Sequence, residues 1–270
     1  MRLSSVSFRY SRRGPWVLRE VGLALEAGSV VEVTGRNGAG KSTLLRLLAG
    51  IVRPSRGSVT GRPRVVGYAP EVFPVEQPFT VAAYLAHLAR ARRVSPAAGT
   101  ALAERLGASH LLDQPLGDLS KGSAQKVGLI QSLLAPPGLL ILDEPFAGLD
   151  EQTRAELPEI IGEVASGGGT VVVSDHQNQL RSFPGAEHWL VADASVTVPD
   201  AERVRRTAAG NDRERASREL AEDDRERASR EVGDGERARH AVIEVLVGME
   251  EADEVEQKLR ADGYLTRRPA

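Results

Sequence analysis

Eight consecutive residues constrain this chain more than any other feature: Gly35, Arg36, Asn37, Gly38, Ala39, Gly40, Lys41 and Ser42. They follow residues 30–34, Val-Val-Glu-Val-Thr, which read as a buried strand running into glycine. They precede residues 42–48, whose leucines fall at helical spacing and which Gly50 stops. A strand that passes through three glycines into a helix turns backbone N–H groups toward one point, where the helix N-terminus adds positive potential. Such a loop cradles phosphate. In this pattern Lys41 reaches the β and γ phosphates and the Ser42 hydroxyl ligates Mg²⁺. Residues 35–42 and Thr43 are therefore the expected ATP-binding set.

About a hundred residues later, four apolar residues at 139–142 lead into Asp143, Glu144 and Pro145. An apolar strand that ends in two adjacent carboxylates delivers them to the strand end where α/β sheets bind ligands. Asp143 is placed to hold Mg²⁺. Glu144, one residue on, is placed to face the γ-phosphate and polarise an attacking water.

The rest of the pattern supports an α/β body. Residues 3–10 and 17–25 read as strands, and so do 65–68 and 171–173. Residues 80–113, rich in alanine and leucine, read as helices, as do residues 122–134. The continuous apolar runs at 139–142 and 171–173 are typical of parallel strands buried on both faces. With 270 residues there is room for one domain of about 200 and an appendage. The net charge of −2 supplies no basic field for nucleic acid, and the absence of cysteine excludes disulfides and thiolate chemistry. No apolar run reaches the roughly 18 residues that span a bilayer, and the first five residues lack the apolar core of a signal peptide, so a cytoplasmic chain is expected. Composition changes near residue 199. Residues 199–240 form a charged linker or helix in which Asp-Arg-Glu-Arg-Ala-Ser-Arg-Glu occurs at 212–219 and again at 224–231. Residues 241–270 read as a small βα-type segment, too short to bury a core alone. The expected domains are thus 1–198, 199–240 and 241–270.

Two further motifs give the chain a resemblance to the ATP-binding-cassette (ABC) ATPases, over roughly residues 1–195. Leu119, Ser120, Lys121 and Gly122, followed by Ser123, Ala124, Gln125 and Lys126, look like the family signature. His176, after the 171–173 strand, matches the family's switch histidine. The resemblance implies a P-loop NTPase core with a mostly parallel sheet, an N-terminal antiparallel β subdomain, a short helical subdomain and a small charged C-terminal extension. It implies ATP and Mg²⁺ as ligands. Glu144 and His176 become the catalytic residues, and Tyr10 the aromatic that stacks on adenine. Ser120, Lys121 and Gly122 become the segment that closes over the nucleotide of the opposite protomer. Asp150, in residues 146–150, matches the loop aspartate that crosses the dimer interface. Three positions depart from the family pattern: Lys121 and Ser123 replace the commonest Gly and Gln, and Glu71 stands where a glutamine is usual.

The Ser-Lys-Gly form resembles cassettes of antibiotic and multidrug exporters, and the short interval between loop and signature fits a compact helical subdomain. The expected function is therefore the ATPase subunit of an exporter. It would act as a homodimer, or a heterodimer with a related cassette, on a separate transmembrane permease at the inner face of the cell membrane, with no nucleic acid partner. The alternative is a soluble cassette ATPase, for example of the cluster-assembly type.

Overall fold

The two continuous apolar runs lie at the heart of a six-stranded sheet. The computed structural model describes residues 1–175, 179–180 and 183–198. Within them the elements are β1 (Arg2–Phe8), β2 (Leu18–Ala24), β3 (Val30–Thr34), α1 (Lys41–Ala49), β4 (Arg56–Thr60), β5 (Val66–Ala69), α2 (Val81–Arg92), α3 (Ala97–Arg105), α4 (Lys121–Leu133), β6 (Leu139–Asp143), α5 (Glu151–Ser166), β7 (Thr170–Ser174), β8 (Glu187–Ala192) and β9 (Ser195–Thr197). The large sheet has the order β5-β6-β7-β3-β8-β9, parallel except for β9. A smaller antiparallel sheet has the order β2-β1-β4. The fold is the α/β P-loop architecture, and the charged residues at 199–240 and the 241–270 segment lie outside the described residues.

Pleating decides which side chain meets which layer. Successive residues of a strand face opposite ways. On β6, Leu139 and Ile141 join Val31, Val33 and Val172 on one face, under the leucines of α1 and the small sheet. Leu140 and Leu142 join Val171 and Val173 on the other face, against α4 and α5. Asp143 has the same parity as Leu139 and Ile141, so its carboxylate emerges on the α1 side. Both faces are covered, which is why these strands read as unbroken apolar runs. Glu32 is the exception inside β3. It is buried, and it is answered by His188, its register partner on β8, whose Nδ1 lies 2.7 Å from Glu32 Oε2.

The small sheet matches the two strands expected at the N-terminus and adds β4. The helical region expected at 80–113 contains α2 and α3, and the Thr80 side chain caps α2 by accepting from the Ala83 amide at 3.3 Å. Helix α5 was not apparent in the sequence, because Pro158 sits in its interior. Its buried face of Leu157, Ile160 and Ile161 holds it on β7 despite the missing donor.

Candidate active site

β3 ends at Thr34, and the chain leaves it through Gly35, Gly38 and Gly40, with φ of 144°, 79° and 110°. Those values lie where L side chains are strained. A Cβ on Gly35 would meet the Val191 carbonyl oxygen at 2.4 Å, so the loop has to pass β8 as glycine. A Cβ on Gly38 would meet nothing within 4 Å, and Arg36, Asn37 and Gly38 are exposed, so this side of the loop opens outward. Ala39 donates its amide to the Arg36 carbonyl at 3.1 Å and closes the turn. Helix α1 begins at Lys41 with no capping side chain and no acidic residue in its first turn. No capping side chain therefore has to be displaced from its first amides when an anion binds there.

The strand order explains the next layer. β7 lies between β3 and β6, and Ser174 is in register with both Val33 and Asp143. Ser174 Oγ donates to Asp143 Oδ1 at 2.7 Å and accepts from the Glu144 amide at 2.9 Å. Ser42 Oγ, at the start of α1, donates to the same Asp143 oxygen at 3.2 Å. Glu144 takes φ 51°, an uncommon conformation held by two bonds from its amide, to the Ser174 carbonyl and hydroxyl. That strain is of order 1–3 kcal/mol, about the size found at functional positions. Lys41 is buried, donates to the Gly35 carbonyl at 3.0 Å and lies 3.4 Å from Glu144 Oε1.

Burial pushes the Asp143 carboxyl up. The hydrogen bonds from Ser174 and Ser42 oppose that, and the charges of Glu71 and Glu144 add to it. A buried carboxylate with the Ser42 hydroxyl beside it is a hard-oxygen pair suited to Mg²⁺, which takes few protein ligands and completes its shell with phosphate and water oxygens. Among the described residues no cluster of three or more His, Cys, Asp or Glu competes as a metal site.

Three aromatics lie before the loop. Phe8 is in the core, and Trp16 is held under the guanidinium groups of Arg9 and Arg56, 4.6 and 5.3 Å from its ring centroid. Tyr10 is the exposed one, at 64%. Its hydroxyl is 2.9 Å from Thr43 Oγ1 and 3.5 Å from an Arg46 nitrogen, so the ring stands over the start of α1.

On the opposite layer, Ser120 caps α4, accepting from the Ser123 amide at 3.2 Å, and Ser120 and Lys121 are exposed. A Cβ on Gly122 would fall 2.4 Å from the Gly148 carbonyl oxygen, so the signature and the 146–150 loop touch backbone to backbone. Asp150 caps α5 through Oδ1, from the Thr153 amide at 2.9 Å, and its Oδ2 lies 2.6 Å from Lys126 Nζ. The carboxylate is thus engaged within its own chain. Glu71, two residues past β5, is exposed. His176 lies outside the described residues. The structure brings the 35–43 loop, Tyr10, Asp143 and Glu144 together. Residues 120–122 and Asp150 form a second group on the other helical layer. The sequence reading missed the bridging role of Ser174, whose only signal is its place at the end of an apolar strand, and it assigned no partner to Lys126.

The fold and the phosphate-binding loop with its carboxylates define a P-loop nucleoside triphosphatase. Residues 18–147 match the family described as ABC transporter. Over 187 residues the chain is 40% identical to the zinc import ATP-binding protein ZnuC of Pseudomonas aeruginosa, covering 67% of this chain and 68% of that protein. Over 177 residues it is 43% identical to the protein of the same name from Alkalilimnicola ehrlichii, covering 63% and 67%. A solved structure described as the ATP-binding subunit of an ABC transporter aligns at 25% identity with a TM-score of 0.67, covering 76% of this chain and 92% of that one. The chain belongs to the ABC transporter family, as an ATP-binding subunit with ATPase activity.

Proposed function

We propose that this chain powers zinc uptake, as one of two ATPase subunits docked on a separate transmembrane permease. The observation that carries the cargo and its direction is the 40–43% identity to subunits named for zinc import. The export expectation has no such support. The Ser-Lys-Gly signature and the compact helical region remain features of this chain, but neither bears on direction. No relative supports the soluble alternative. Among the described residues no helix is long and apolar enough to cross a membrane, which fits a chain that needs a partner for the pore. The exposed Val72 and Phe79, beside Glu71 and α2, are suited to meet that partner.

In this reading the α1 amides and Lys41 bind the phosphates, and Tyr10 stacks on the base. Ser42 and Asp143 would hold Mg²⁺, which supplies charge neutralisation at the phosphate oxygens. Glu144 orients water and accepts its proton, with His176 on the γ-phosphate. The segment 120–122 completes the site of the opposite protomer, placing two ATP molecules between two chains. Residues 1–198 form the ATPase domain, and 199–270 lie beyond its chemistry. The assembly sits at the inner face of the cell membrane.

The test is radioactive zinc uptake in cells lacking the gene, complemented with the wild type or Glu144→Gln. Uptake restored only by the wild type, with growth rescued under zinc chelation, is expected. Uptake unchanged by deletion, with zinc or drug accumulation rising instead, would overturn import in favour of export.

A further inference from the structure

The buried ammonium of Lys126 takes no part in the phosphate chemistry, yet it joins three separate pieces of chain. Its Nζ is 2.6 Å from Asp150 Oδ2 and donates to the Leu106 carbonyl at 3.0 Å, with the Gly107 carbonyl at 3.5 Å. Those three acceptors match its three protons. The Leu106 carbonyl, at the end of α3, also accepts from Thr153 Oγ1 of α5 at 3.2 Å. Independently, Gly122 at the start of α4 lies against Gly148 with no room for a Cβ. A second tie runs alongside, where Arg105 of α3 pairs with Glu156 and Glu163 of α5 at 2.5 and 2.7 Å.

We propose that Lys126 is a positioning residue that locks the signature segment 120–122 and the 146–150 loop into one rigid body with the end of the helical subdomain. The two segments then approach the opposite protomer's nucleotide together. Without the lock, each would have to be ordered separately at closure, which lowers turnover and leaves nucleotide binding in the same chain alone. The P-loop is unaffected because α1 packs on the other face of the central sheet. This inference rests on the composite-site reading above.

The test uses the full-length chain as Lys126→Met, Asp150→Asn, the double variant and Lys126→Arg. Asn remains a good helix N-cap, so Asp150→Asn removes the charge and keeps the cap. Each single change is expected to lower kcat by about tenfold or more, with MgATP affinity within about threefold of the parent. The double variant should be no slower than the worse single, because both remove one interaction. Lys126→Arg, which restores a charged donor, should recover most of kcat. Hydrogen exchange on the nucleotide-free chain should show faster amides at 106–107 and 148–153 in both singles. Full turnover in a folded Lys126→Met or Asp150→Asn, or multiplicative losses in the double, would overturn the lock. If Lys126→Met fails to fold, the Asp150→Asn result decides alone. Full turnover in Ser120→Arg would instead overturn the composite site, while the exchange data would still report whether the lock exists.

Discussion

Lys41 and Glu144 neutralise each other across 3.4 Å, both nearly withdrawn from water. An arriving phosphate must draw the ammonium away from that carboxylate. Glu144→Gln removes the competing charge together with the proton acceptor, so two effects of opposite sign are expected from one substitution. MgATP affinity should stay equal or rise by up to about tenfold, while turnover falls by about a hundredfold or more. Lys41→Ala should weaken binding instead, because the phosphate loses its countercharge. Calorimetric titration and phosphate release measure both quantities, and normal turnover in Glu144→Gln would remove it from the chemistry. Glu71 acts on the same cluster from outside, since its charge helps to push the Asp143 carboxyl up. Because Glu71 is exposed, water screens that influence. Glu71→Gln should therefore retain hydrolysis and keep MgATP affinity within about tenfold, because the lost carboxylate attracts the metal and repels the phosphates with opposite sign. Loss of turnover as deep as in Glu144→Gln would make Glu71 a second catalytic carboxylate.

Helix α5 concentrates several of the constraints on the second group of residues. Lys126 and the Thr153 amide hold the carboxyl of its N-cap, Asp150, down to about 2. The folded value is below the unfolded one, so the unfolded chain binds more protons in acid. The stabilisation is complete above about pH 4 and is lost as pH falls through about 2. The difference in melting temperature between the parent and Asp150→Asn should be constant from about pH 7 to 5 and should close below about pH 4. A difference that closed near neutrality would assign the stabilisation to another group. This helix also marks the limit of what the sequence discloses. Strands β6 and β7 were legible because burial on both faces leaves a continuous apolar run, and β3 was legible from its three valines and the glycine that follows. α5 was hidden by Pro158. β4 lacks large apolar residues apart from Val59, and β8 carries Glu187 and His188 among its apolar residues, so neither stood out. At the site the same division holds. Gly35, Lys41, Asp143 and Glu144 stand in a local spacing that suggests their proposed roles. Ser174 and Lys126 owe theirs to neighbours set by strand order and helix packing, which no local window contains.

For the whole molecule, direction of transport was the least legible property, for a physical reason: the legible motifs are those of nucleotide chemistry, which does not depend on which way a cargo moves. The proposed pairing of two chains has a clearer geometric basis. Residues 120–122 and the 35–43 loop lie on opposite layers of the central sheet within one chain. A site that needs both is most simply made by two chains related by a twofold axis, each supplying the half that the other lacks. Lys41→Ala and Ser120→Arg should then each be inactive alone, the first through its own phosphates and the second through its partner's. In a heterodimer of the two, the Ser120→Arg chain offers an intact loop to the intact signature of the Lys41→Ala chain. One composite site is restored and the other is doubly broken. Random mixing makes about half of the dimers mixed, so recovery should approach about a quarter of the parental turnover if the two sites act independently. Turnover should also rise more than linearly with protein concentration when the permease is absent, because the active species is bimolecular. Phosphate release from mixed and unmixed preparations, with heterodimers quantified by differential tagging, gives the answer. Heterodimers that form and stay inactive would mean either that both sites must fire together or that the signature serves its own chain. A tandem-linked dimer carrying both substitutions in one half separates these outcomes: it has one parental half, so a signature that acts within its own chain would leave half of the activity, whereas composite sites would leave none.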